Sequence, residues 1–260
     1  MVDRMSKIKD EIIAKLREIE DKEKVRILYA VESGSRGWGF ESKDSDYDVR
    51  FIYAHPVEWY LSIGDKRDVI EYPISDLLDI SGWDIKKALK LFKNSNPPLY
   101  EWLTSPIIYM EQANFTHKLK DLMPKFYLPT SAMHHYLHMA QGNHKAYLTG
   151  KKIKIKKYFY VLRPILACMW IEKYGSMPSM EFDKLLSAQD LNTELIKEIK
   201  RLHQQKKLGI ESDVEDRSNI LVDFLEKKVT YFEVFVKKLT PKRKLADNSL
   251  DKLFRENLYD

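Results

Sequence analysis

The spacing of apolar and polar positions differs between the two halves of this chain of 260 residues. Residues 5–24 place apolar side chains at helical spacing among charges, which predicts an amphipathic helix. Val25–Val31 is a short apolar run and Asp46–Tyr53 alternates, so both are predicted to be strands. The remaining elements expected in this half are strands at 68–73 and 77–81 and helices at 56–63, 83–93 and 99–104.

The second half shows helical periodicity throughout, and no further strand is expected beyond about residue 112. The helical segments are 116–123, 132–148, 155–174, 180–188, 191–207 and 218–237. Strands first and helices afterwards predict an α+β protein, with a small mixed sheet followed by an α-helical bundle. We expect one domain over residues 1–115 and an α-helical domain over 116–260, a division that suits the length.

Composition narrows the class of protein. Apolar residues make up 44% of the chain and aromatic residues 12%, which excludes outright disorder. Cys168 is the single cysteine, so a disulfide scaffold is excluded and a reducing cytoplasm is expected. We expect no membrane segment, since no apolar run approaches the roughly 18 residues that a spanning helix needs. A net charge of +5 permits a nucleotide or RNA partner without requiring one.

Glycine is scarce, and its distribution is informative. The chain has nine glycines, and three of them fall within Glu32–Gly39, directly after the first predicted strand. Gly34 has no Cβ, so its backbone can approach a phosphate group closely. Ser35 adds a hydroxyl and a backbone N–H that can hold phosphate oxygens. The pattern therefore predicts a phosphate-binding turn.

A pair of aspartates follows on the next predicted strand. Asp46 and Asp48 are two residues apart, so their carboxylates point to one face of a strand. Like charges at that spacing repel each other unless a cation lies between them, and hard oxygen ligands favour Mg²⁺. Two such ions suit an in-line nucleotidyl displacement. The alternative is a solvated turn that includes Asp44, but the order of strand, Gly-Ser, strand and Asp-x-Asp favours a functional site.

These motifs resemble those of a known group of enzymes. Val31–Arg36 followed by Ser45–Val49 resembles the nucleotidyltransferase superfamily of DNA polymerase beta, whose signature is Gly-Ser, about ten residues, then Asp-x-Asp. More narrowly, Ser33–Phe40, Asp44–Arg50 and Lys157–Pro164 are similar to a family labelled as an RNA-repair-pathway, polymerase-beta-like family.

The resemblance implies transfer of a nucleoside monophosphate from an NTP, ATP being the first expectation, with two Mg²⁺ ions or Mn²⁺ in their place. It also implies a third carboxylate near the pair, acting as general base or third metal ligand. Asp79, in the alternating run Leu77–Ser81, fits that place best. Asp76, Glu71 and Asp84 are the competing residues, and Asp84 also looks like the N-cap of the following helix.

Two arginines near the motifs have open roles. Arg36 follows Gly-Ser and could reach the triphosphate, or it could be a surface arginine paired with Glu41 or Asp44. Arg50 shares the strand face of Asp46 and Asp48, and either neutralises these acids or contacts the substrate.

A lysine-rich segment begins the helix predicted at 155–174. Residues 151–157 contain five lysines, and tyrosine and phenylalanine follow, a mixture that suits a triphosphate or an RNA backbone. The alternative is a solvated helix face. The resemblance identifies four nucleotide-binding positions here: Lys156, Lys157, Tyr160 and Arg163.

The acceptor stays open at the level of sequence. An RNA end or a tRNA agrees with the basic charge and the family label. Nucleotidylation of a protein or a small molecule, as in antitoxins and antibiotic-modifying enzymes, and a non-catalytic module that binds nucleotide or RNA are the alternatives.

Overall fold

A computed structural model describes residues 2–42, 45–73, 77–210, 214–240 and 247–259. Its main sheet has five strands in the order β3-β4-β2-β1-β5, and a separate ribbon pairs β6 with β7. The strands are β1 (Arg26–Glu32), β2 (Tyr47–Ala54), β3 (Val69–Glu71), β4 (Leu78–Asp84), β5 (Ile108–Glu111), β6 (Lys152–Lys154) and β7 (Val214–Asp216).

Helices fill the rest of the fold. They are α1 (Val2–Glu23), α2 (Gly34–Gly37), α3 (Val57–Tyr60), α4 (Ile85–Lys93), α5 (Pro97–Leu103), α6 (Ala113–Phe126), α7 (Pro129–Tyr147), α8 (Ile155–Tyr174), α9 (Phe182–Ser187), α10 (Thr193–Gln205), α11 (Asn219–Lys237) and α12 (Ser249–Tyr259). A π-helical turn, Lys206–Ile210, continues α10. The predicted α+β class, a small mixed sheet followed by helices, is confirmed. None of the described helices is long and apolar enough to cross a lipid bilayer.

The expectation of no strand beyond residue 112 is wrong, because β6 and β7 pair with each other in the helical half. Each has three residues, and Lys152, Lys154, Val214 and Asp216 are exposed. Ile153 of β6 is buried between the two lysines, but a strand of three residues is too short for its alternation to stand out in the sequence. Strand β5 at the sheet edge was not predicted either.

Strand β2 lies at the centre of the main sheet. It pairs antiparallel with β1 and parallel with β4, and the parallel register sets Asp48 opposite Asp79. A parallel pair needs a crossover connection, and the chain that contains α3 and β3 joins the two strands. Since parallel strands place corresponding ends at one edge of a sheet, two carboxylates that are distant in sequence become neighbours.

Two cores cover the faces of the sheet and a third fills the helical half. The core beneath α4 also contains Phe115 and Leu119 of α6 and Leu250 and Leu253 of α12. Helices α6 and α12 therefore pack with the strands, although both follow residue 112. The division at residues 115 and 116 stays a prediction. The third core is built around α7, α8 and α11, and it takes Phe40 from the first half.

His55, just after β2, gives this fold a testable acid sensitivity. Its ring stacks on Trp59 with centroids 4.0 Å apart, and burial, helped by the charge of Lys66, lowers its pKa to about 4. The unfolded chain binds this proton more readily, so the stability from neutral His55 is present above the ordinary value of 6.5 and is lost as pH falls towards 4.

We expect His55→Phe to flatten the pH dependence of the free energy of unfolding between these values. Urea unfolding measures it, with exposed His117→Phe as control; an unchanged slope in His55→Phe would contradict the expectation.

Candidate active site

The glycine turn, residues Gly34–Gly37 of α2, packs directly against the second strand. Gly34 has a φ of 57°, in the left-handed region that favours glycine. A Cβ built at Gly34 would lie 1.8 Å from Oδ2 of Asp48. The N–H of Ser33 donates to the carbonyl of Asp48 over 2.8 Å. The turn and the aspartate strand therefore form one structure, in which Gly34 is required by both space and backbone conformation.

Arg50 joins the two carboxylates that the sheet brings together. Its Nη2 lies 2.7 Å from Oδ2 of Asp79 and 3.3 Å from Oδ1 of Asp48. Its Nη1 donates to the carbonyl of Asp79 over 2.8 Å. The sequence left open whether Arg50 neutralises the acids or contacts the substrate, and in the structure it contacts the acids. The arginine uses one oxygen of Asp48 and leaves the other facing Gly34.

The charges around Asp48 favour a bound cation. Burial raises the pKa of Asp48; Arg50 opposes this, and Asp79 and Asp46 raise the pKa further. Asp46 is exposed just before β2. No three His, Cys, Asp or Glu side chains within the described ranges form a ready-made metal site. Carboxylate oxygens suit Mg²⁺, which often takes one or two carboxylates and completes its shell with waters and substrate phosphates. The donor set therefore fits such an ion.

The competing third acids have other partners. Asp84 caps α4, accepting the N–H of Lys86 over 2.8 Å, and its other oxygen accepts from Tyr60 over 2.6 Å. Its N-cap role is confirmed. Glu71 is exposed and pairs with Arg67. Asp44 and Asp76 lie outside the described residues. Of the described candidates, Asp79 is the one in register with Asp48.

Glu32, at the end of β1, is a site residue that the sequence reasoning missed. It is fully buried, accepts the N–H of Asp48 over 2.8 Å, and accepts the hydroxyl of Tyr109 over 2.5 Å. Burial raises its pKa to about 7, although these two hydrogen bonds lower it. A glutamate ending an apolar strand just before Gly-Ser was a usable signal. No comparable signal indicated Tyr109, because it lies on β5, a strand that the sequence pattern did not predict.

Arg36 is held by the chain between the two motifs. Its guanidinium donates to the carbonyls of Ser45 and Asp46 over 2.7 and 3.2 Å. It also stacks on the ring of Tyr47, 3.8 Å from the centroid. Arg36 thereby orders the segment carrying Asp46, and contact with a triphosphate stays a prediction. Ser35 is partly exposed on the glycine turn, and its carbonyl accepts the N–H of Phe40.

The predicted nucleotide-binding residues of α8 divide into two groups. Lys157 lies over two rings, with Nζ 3.8 Å from the centroid of Tyr147 and 4.7 Å from that of Tyr160. Lys156 is partly exposed beside it. Arg163 is buried and paired with Glu101, so its geometry favours an internal contact over the expected contact with a nucleotide. For the other three, nucleotide binding stays a prediction.

A glycine turn packed on an Asp-x-Asp strand, with a further acid on the parallel neighbour, defines a nucleotidyltransferase-like protein. Residues 8–256 match the RNA repair pathway DNA polymerase beta family (RlaP), and the chain belongs to this family. The resemblance read from the sequence is confirmed. Membership supports a general nucleotidyltransferase activity.

Individual relatives add two observations. The chain is 49% identical over 246 residues to the uncharacterized protein YcgL of Bacillus subtilis (strain 168), a match covering 95% of each protein. A crystal structure of a nucleotidyltransferase-like protein from Exiguobacterium sibiricum 255-15 is similar at 14% identity and a TM-score of 0.32, over 95% of this chain and 89% of that one.

Proposed function

We propose that the protein transfers a nucleoside monophosphate from an NTP, ATP first among them, to a hydroxyl group of an acceptor and releases pyrophosphate. The observation that carries this proposal is the register of β2 and β4, which sets Asp79 opposite Asp48, the residue that packs against Gly34. A metal-binding strand, a candidate base and a phosphate-binding turn are the parts that this reaction needs.

Each residue has a defined task in the proposal. Gly34 and Ser35 bind the phosphates of the NTP, and Asp46 and Asp48 hold the divalent ions. Bound Mg²⁺ would neutralise charge that develops on the reacting phosphate and on the leaving pyrophosphate. Asp79 accepts the proton of the attacking hydroxyl or serves as a third metal ligand. Arg50 keeps the carboxylate of Asp79 oriented, since it binds both the side chain and the backbone of that residue.

An RNA end or a tRNA is the acceptor that the family description and the charge of +5 support best. Lys157, placed over two tyrosine rings, offers the combination of cation and stacking surface that single-stranded RNA contacts use. Transfer to a protein or to a small hydroxyl compound, and nucleotide binding without turnover, are the other outcomes that the experiment distinguishes.

The test follows an α-labelled NTP with Mg²⁺ and measures both pyrophosphate release and label on RNA, protein or a small hydroxyl acceptor. We expect label on RNA, and loss of that label in Asp79→Asn. Glu71→Gln is the matched control, because Glu71 lies exposed on the neighbouring β3. Label on another acceptor would replace RNA in the proposal, and NTP binding without turnover on all three would refute the enzyme.

A further inference from the structure

The chain that leaves the glycine turn is anchored in the helical half. The carbonyl of Trp38 accepts the N–H of Phe182 over 2.9 Å, and the carbonyl of Phe40 accepts Nζ of Lys206 over 3.1 Å. The ring of Phe40 is buried in the core built around α7, α8 and α11. Gly34 contacts Asp48 at the other end of this segment. Residues 34–40 therefore connect the sheet to the helical core, and a displacement of the core reaches the turn.

A buried ion pair lies where these parts meet. Arg163 of α8 is 5% exposed and Glu101 of α5 is 7% exposed, with Nη1 and Oε1 3.0 Å apart. Tyr136 of α7 donates its hydroxyl to the same oxygen over 2.7 Å. Helix α5 belongs to the core of the sheet, and α7 and α8 to the helical core. The ion pair thus joins the two halves.

Trp38 completes this cluster. The guanidinium carbon of Arg163 lies 4.3 Å from the centroid of the Trp38 ring, within the range of a cation–π interaction. Nε of Arg163 and Nε1 of Trp38 are both buried, with no hydrogen-bond partner within the described part of the chain. A buried ion pair is weak evidence for stability, because well-packed apolar residues often replace one without loss. Stability alone therefore does not explain why an arginine stands here, whereas its contact with Trp38 does.

We infer that Arg163 is a positioning residue, which holds the glycine turn in place through Trp38 and keeps that turn against Asp48. The inference rests on the proposed function for its effect on catalysis. A planar guanidinium can stack on Trp38 while it pairs with Glu101, whereas the compact ammonium of lysine cannot reproduce both contacts. Arg163 acts here without touching the NTP.

The decisive variant is a double substitution of Arg163 and Glu101, which removes the ion pair without leaving a buried charge. Arg163→Met or Glu101→Gln alone should lower the melting temperature, since each leaves the partner charge unpaired. Glutamine keeps an oxygen that accepts the hydroxyl of Tyr136. The double variant should recover most of that loss. Its glycine turn should nevertheless stay loosened, with exchange of the hydrogen-bonded amides of Gly37–Phe40 faster by about tenfold or more. KM for the NTP should rise by about tenfold, with a smaller change in kcat.

Arg163→Lys and Trp38→Leu complete the set. Arg163→Lys keeps a charge beside Glu101 and should keep a melting temperature near that of the wild type. Trp38→Leu removes a ring packed against the helical core and should lower it. Both should reproduce the faster amide exchange and the higher KM. Exchange and KM that recover together with stability in the double variant would overturn the inference and leave a structural ion pair. If the wild type shows no turnover, the proposed function fails, and amide exchange alone still decides whether Arg163 holds the turn.

Discussion

Replacing Asp48 by asparagine is expected to reduce nucleotidyl transfer on the order of a thousandfold, equivalent to about 4 kcal/mol of transition-state stabilisation. Asparagine keeps the size of the side chain and an oxygen that can accept from Arg50. It loses the negative charge that would hold a divalent ion beside the glycine turn. Initial rates of pyrophosphate release at saturating NTP and Mg²⁺ measure the effect.

The same substitution should not weaken the fold. Because burial raises the pKa of Asp48 in the folded state, the protonated carboxyl contributes stability that is lost as pH rises through this pKa, and the charged form costs stability at neutral pH. The neutral amide avoids that cost, so the free energy of unfolding at neutral pH should stay level or rise. Asp190→Asn is the control, since the side chain of Asp190 is 95% exposed. Wild-type rates in Asp48→Asn would refute the assignment of the site.

Gly34→Ala is expected to have the second-largest effect, a loss of activity on the order of a hundredfold together with about 1–3 kcal/mol of stability. The new Cβ would meet Oδ2 of Asp48 at 1.8 Å, so either the turn or the carboxylate must move. The backbone also carries a positive φ of 57° that alanine tolerates poorly. Turnover measures the loss of activity, and urea unfolding measures the loss of stability.

Gly39→Ala separates the effect of backbone strain from that of the contact with Asp48. Gly39 also has a positive φ, of 79°, but a Cβ there meets nothing within 4 Å. The control should therefore show the cost of backbone strain without displacement of Asp48, and it should keep most of the activity. Equal losses of activity in the two variants would show that contact with Asp48 is unimportant.

Local patterns determined elements in both halves of the chain. Alternation, helical spacing and capping chemistry within a few neighbouring residues predict strand β2 with Asp48, helix α8 and the N-cap at Asp84. The glycine turn also follows from local chemistry, because the conformation at Gly34 favours a residue without a Cβ. The motif order was enough to indicate the family, which the match over residues 8–256 confirms.

Contacts between distant segments were decided by the tertiary structure. The parallel register that sets Asp79 opposite Asp48, and the hydrogen bond from Tyr109 of β5 to Glu32, join residues with no common local pattern. Arg163 and Glu101 are 62 positions apart. The family resemblance suggested a nucleotide contact for Arg163 and nothing for Glu101, whereas packing buries the two side chains together. The sequence by itself therefore determined the elements and the chemical groups they carry, because propensity and spacing act locally. Only the tertiary structure decided which groups meet, because strand pairing and burial depend on the whole chain.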